Sequence, residues 1–151
     1  MAAGHDRPSA LAFSSKYCRE RFVYPSPKKA PGAFLSALLD RLKGGGYVCV
    51  LPMGDETMGI AARHQAVIKR FARLLIPPSF AVETALDKGK TIRFAAARGF
   101  SCPRTYFVET PEAVGLLISK ITYPAVIKPR TGSGAEGVLF VDGPADLLPS
   151  Y

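Results

Sequence analysis

The chain of 151 residues carries a formal charge of +8, is 48% hydrophobic and 21% charged, and contains 14 glycines and 13 prolines. That balance excludes a disordered chain, because enough apolar surface is available to offset the entropy of ordering, and the length fits one modest domain or part of a larger protein. The charge suits an anionic partner, but Lys and Arg are scattered from Lys28-Lys29 through Arg63, Lys69, Arg70 and Arg73 to Arg130, without an aromatic-interleaved basic run or zinc-finger spacing, so nucleic acid is disfavoured against nucleotide phosphate or an acidic substrate.

Residues 1–10 read as a flexible leader without the continuous apolar core of a signal peptide. FVY at 22–24 predicts a brief strand, and PSPKKAPG at 25–32 a loop. Phe34, Leu35, Leu38, Leu39 and Leu42 recur at helical spacing, and the three glycines at 44–46 end that helix. YVCVL at 47–51 is apolar enough for a buried parallel strand. Asp55 then caps a long helix expected to run to about Leu75, with Ile60, His64, Val67, Ile68, Phe71, Leu74 and Leu75 as its apolar stripe, until Pro77-Pro78 stops it.

A boundary falls near residues 76–80, followed by a short helix over 80–86. Asp87 caps a further helix over 88–98, which Gly99 ends. TYFV at 105–108 reads as a strand, and Thr110 with Pro111 as the start of a helix burying Val114, Leu117 and Ile118. The strands AVIK at 125–128 and VLFV at 138–141 flank a glycine loop, and a last helix begins at GPADLL. Cys18, Cys49 and Cys102 are odd in number and far apart, which fits buried free thiols in a reducing compartment, and no run of about 20 apolar residues could span a membrane; a cytoplasmic location is expected.

Lys128 is the first candidate site residue. Alternation sets it with Val126 and Arg130 on one side of its strand, opposite Ala125 and Ile127, and Pro129 ends the strand just before the loop. A lysine on a rigid strand is a positioned point charge for phosphate, although a solvated strand end explains it equally well. The loop TGSGAEG at 131–137 offers Gly132, Gly134 and Gly137, whose amides can form an anion-binding concavity, with Ser133 as an added donor; a plain hairpin turn is the competing explanation.

Neither this loop nor GKT at 89–91 completes a P-loop, and no dinucleotide-binding glycine pattern opens a helix. Lys88, at a capped helix start, can also meet an anion, but a solvated lysine in a charged helix turn explains it at least as well, and Lys90 and Arg93 share that explanation. Asp55 and Glu56 lie at a strand-to-helix connection, and His64 reads as a core or boundary histidine. With only two histidines, acid–base and covalent catalysis are poorly supported, and no catalytic or metal-ligating residue is assigned.

The order of the pieces carries more than any one of them. Asp87-Lys88, Gly99, Pro103-Arg104-Thr105, Tyr123-Pro124-Ala125-Val126-Ile127-Lys128-Pro129 and the loop from Gly132 to Gly137 together resemble the first lobe of an ATP-grasp domain. Upstream, SSKYCRERFVYPSP and VCVLPMGDET resemble the Rossmann-like region that precedes it in carbamoyl-phosphate-synthase-like ligases of the carboxylate–amine type. The resemblance implies an α/β chain in three parts: the leader 1–10, a partial Rossmann-like pre-ATP-grasp domain at 11–78, and the first ATP-grasp lobe at 79–151. It implies that Lys88 and Lys128 hold ATP phosphates while Gly132, Ser133, Gly134 and Gly137 fold over them.

The implied chemistry activates a small carboxylate as an acyl phosphate for attack by an amine or similar nucleophile. Positioning and charge neutralisation dominate such phosphoryl transfer. In the family a second lobe supplies the adenine clamp, the Mg²⁺ ligands and most of the acceptor pocket. The chain is therefore expected to be a fragment of an ATP- and metal-binding ligase, inactive alone and prone to self-association. Its alternatives are a non-catalytic anion- or protein-binding α/β module and, less favoured, a nucleic-acid-binding protein.

Overall fold

The computed structural model describes residues 1–150. The chain divides into two compact units, Met1–Glu83 and Thr84–Tyr151. Each is a mixed α/β arrangement built on two-stranded sheets.

In the first unit β1 (Ala2–His5) pairs in parallel with β2 (Glu20–Val23), Gly4 lying opposite Phe22. A strand thus occupies the segment expected as a leader. The sequence AAGH has no strand signature of its own, and the pairing supplies what local propensity does not. Gly4 is required there, because a Cβ would stand 2.4 Å from the Phe22 ring. Phe22, Tyr24 and Phe34 then stack edge to face, joining β2 to α1 (Pro31–Lys43).

Helix α1 starts at Pro31, earlier than its apolar spacing predicts, and ends at Gly44 with Gly45 at φ +82°. Arg41 in its last turn donates from Nε to the Tyr47 hydroxyl (2.6 Å) and pairs with the Glu20 carboxylate. The Tyr47 hydroxyl donates to Glu20 Oε2 (2.9 Å). The Tyr47 hydroxyl foremost, then Arg41, holds the Glu20 carboxyl below its ordinary value. Strand β2 is joined at this cluster to the end of α1 and the segment that follows it.

The expected strand at 47–51 narrows to β3 (Cys49–Val50), and the long helix expected after it is broken. Helix α2 covers Asp55–Arg63 and α3 only Gln65–Ile68, with His64 between them in a non-helical conformation. Gly54, not Asp55, is the N-cap, and the Thr57 hydroxyl closes that turn by accepting from the Gly54 amide (3.1 Å). After α3 the chain turns into β4 (Arg73–Leu74), parallel to β3.

The stripe that looked helical mixes two periods. Ile68 and Leu74 enter one core with Leu42, Ala61 and Ala72, whereas His64 and Leu75 are exposed. Ser79 compensates part of the break by donating its hydroxyl to the Ala62 carbonyl (2.6 Å). Cys49 is exposed rather than buried, and Cys18 and Cys102 are half-buried; all three thiols are free.

Helix α4 (Ser79–Leu86) leads to α5 (Lys88–Ala96), ended as expected near Gly99 at φ +79°. Residues 105–108 do not form a strand; Tyr106 donates its hydroxyl to the Lys120 carbonyl (2.8 Å). Thr110 caps α6 (Pro111–Gly115) by accepting from the Ala113 amide (3.3 Å).

Strand β5 (Ala125–Ile127) pairs antiparallel with β6 (Leu139–Val141), and α7 (Pro144–Ser150) follows. Val114, Val141 and Leu147 form the core of this unit, with Ile127 and Tyr123 against it. No helix among the described residues is long and apolar enough to cross a membrane.

Ile68 is fully buried at the centre of the first core. Ile68→Ala is therefore expected to cost about 2–5 kcal/mol of unfolding free energy. Urea denaturation followed by circular dichroism checks this, and a loss below about 1 kcal/mol would contradict the packing.

Candidate functional site

The helix start at Asp87 and the glycine loop meet in the second unit. Asp87 caps α5 by accepting the Lys90 amide at Oδ1 (3.0 Å). Arg130, 43 residues away, donates from Nε to both carboxylate oxygens at 2.9 Å. One carboxylate thus orders the first turn of a helix and the exit of strand β5.

Lys88 is held at both ends. Its amide donates to the Arg130 carbonyl (2.9 Å), and its ammonium donates to the Gly132 carbonyl (2.7 Å). Two of the three ammonium hydrogens remain for a ligand. Gly89 makes this approach feasible: a Cβ there would lie 3.1 Å from both Asp87 Oδ1 and Phe107 Cε1, and 3.4 Å from Arg130 Nε. Arg93, one turn on, sits over the Phe107 ring at 4.3 Å.

The loop 131–137 is exposed and dominated by left-handed backbone. Gly132, Gly134 and Gly137 have φ of +104°, +71° and +69°, and Ala135 also adopts φ +61°. At Gly137 a side chain is barred twice, by φ and by Pro129, whose Cγ would lie 2.7 Å from a Cβ. The Ala135 carbonyl accepts from the Val138 amide (3.1 Å), closing the turn into β6. Ser133 is exposed within it.

Lys128 is exposed, immediately after β5, and among the described residues no hydrogen bond or ion pair engages its ammonium. It stands two residues before Arg130, so roughly 7 Å of extended backbone separates it from the residue that receives the Lys88 amide. Lys88, Lys128 and the loop glycines are therefore carried by one continuous stretch and the helix start bonded to it. Asp55, Glu56 and His64 belong to the other unit. Among the described residues no group of three or more His, Cys, Asp or Glu side chains is placed to hold a metal.

Sequence patterning missed Arg130 as the partner of Asp87, and it met Gly89 only within GKT and Phe107 only within an expected strand. The one local signal was a small residue buried directly after a capped lysine. Models of known protein families give no match to the chain, and curated proteins give none either.

The Arg130 guanidinium foremost, with the Lys90 amide, draws the Asp87 carboxyl from its ordinary 3.8 down to about 2. A depressed carboxyl pKa adds stability above its unfolded value, and that contribution fades as pH falls from about 4 towards 2. Asp87→Asn should therefore be less stable than the native chain at pH 6, with the difference narrowing across that window. Denaturation midpoints measured at both ends check it, and a difference that does not change with pH would contradict the pairing.

Proposed function

We propose that residues 79–151 are the phosphate-binding lobe of an ATP-grasp-type ligase, following a Rossmann-like region at 11–78. The observation that carries this reading is the bonding of Lys88, through amide and ammonium, to the segment Arg130–Gly132 that opens the glycine loop. An ordinary hairpin turn does not call for a lysine from another element. Here that contact sets a cation beside backbone amides in left-handed conformations, the combination that binds anions.

In this reading Lys88 and Lys128 neutralise ATP phosphates from two elements, and Gly132, Ser133, Gly134 and Gly137 cover the β- and γ-phosphates. The reaction served is activation of a small carboxylate as an acyl phosphate for attack by an amine or similar nucleophile. The Mg²⁺ ligands, the adenine clamp and the acceptor pocket are assigned to a further lobe. Val126 and Phe140, opposite each other in the β5–β6 register and exposed, are the apolar surface that such a lobe would cover.

Binding of a fluorescent ATP analogue to the 151-residue chain tests the reading, with inorganic tripolyphosphate as competitor. Each of Lys88→Ala and Lys128→Ala should weaken binding by about 10-fold or more, the worth of one charge-assisted contact. Unchanged affinity in both variants would remove the site assignment, and failure of tripolyphosphate to compete would remove the phosphate reading.

A further inference from the structure

The basic residues are scattered over the chain as a whole, but residues 88–108 carry five of them, Lys88, Lys90, Arg93, Arg98 and Arg104, and no carboxylate. Helix α5 sets some of these on one side. Lys90, Phe94 and, in the turn just past the helix end, Arg98 follow at four-residue spacing with Arg93 beside them, and all four are exposed. The other side holds the half-buried Ile92 and Ala95, while the buried Gly89 lies one turn before Arg93 at the edge of the face. Neither phosphate binding at Lys88 and Lys128 nor the core uses this outward face.

Two of the cations, Arg93 and Arg98, lie over rings. The Arg98 guanidinium lies 3.4 Å from the Phe94 ring centre, and Arg93 lies 4.3 Å from that of Phe107. Phe94, Phe107 and Phe100 are 43%, 41% and 67% exposed, and the Phe100 amide is bonded back to the Ala95 carbonyl at the end of α5. Exposed rings grouped with cations in one patch, unlike apolar residues scattered singly, mark an interaction surface. A partner for this surface must offer negative charge and flat apolar faces together.

We infer that the outward face of α5, with Phe100 and Phe107, is a docking surface for single-stranded nucleic acid. Phosphates meet Lys90, Arg93 and Arg98, while unpaired bases stack on the phenylalanine rings and the guanidinium planes. An acidic peptide would satisfy the charge but leave the rings in water. Duplex DNA would hide its base faces. This inference is independent of the ATP reading, because its residues differ from Lys88, Lys128 and the glycine loop.

Fluorescence anisotropy of the 151-residue chain with labelled 15-nucleotide oligouridylate and oligodeoxythymidylate tests it, beside heparin and polyglutamate of matched charge. Both oligonucleotides, or the one of the natural sugar type, should bind more tightly than either control. With three cations engaged, affinity should fall about 20-fold between 50 and 200 mM salt. Phe94→Leu with Phe100→Leu keeps apolar volume but removes the π faces, and should weaken oligonucleotide binding about 5-fold or more. Arg98→Lys, which keeps the charge, should also weaken it. Neither change should alter ATP or heparin binding, and circular dichroism should show both variants folded. Absence of oligonucleotide binding at 50 mM salt would overturn the inference. So would equal binding of heparin, tighter binding of polyglutamate, or indifference of the oligonucleotide to the leucine substitutions.

Discussion

The contact between Asp87 and Arg130 is the constraint on which the second unit is arranged. A carboxylate that already caps a helix can recruit one more donor at little entropic cost, because the cap has fixed its rotamer. Arg130 is that donor, and it closes a contact spanning 43 residues. Partly exposed ion pairs contribute little to global stability, so the importance of this one is positional. It sets Lys88 against the start of the glycine loop and aligns the loop's first carbonyls with the lysine amide and ammonium.

The same constraint explains residue choices that otherwise look unrelated. Gly89 suits its position because a Cβ there would lie within 3.1–3.4 Å of the aspartate, the arginine and Phe107. Gly137 must be glycine because Pro129 crowds it at the far end of the loop. Between these two fixed points the loop stays exposed, with successive amides turned by left-handed residues. A loop anchored at its ends and open in its middle can approach an anion without disturbing the core of Val114, Val141 and Leu147.

Local chemistry made part of this legible. Asp87 and Thr110 were readable as caps, Gly99 as a stop, and 125–127 with 139–141 as strands, because each depends on neighbours a few residues away. Elements that exist through distant pairing were not. Strand β1 needs β2, and β4 needs β3, and two residues of strand leave no period to detect. The apolar stripe from Ile60 to Leu75 suited a helix so well that the interruption at His64 could be seen only once Ile68 and Leu74 were found in the same core. At the site, Lys88 and the glycines were recognisable as residue types. Their tether through Arg130 and Gly132 was not, since no local pattern links positions 44 residues apart.

The central claim is that helix start and glycine loop form one anion site. Amide chemical shifts of the isotopically labelled chain, followed while inorganic tripolyphosphate is added, test it most directly. Saturable shifts concentrated at Lys88, Gly89 and residues 131–137, rising together along a single binding curve, are expected. Shifts spread over the basic surface without saturation, or confined to segments outside these two, would contradict it.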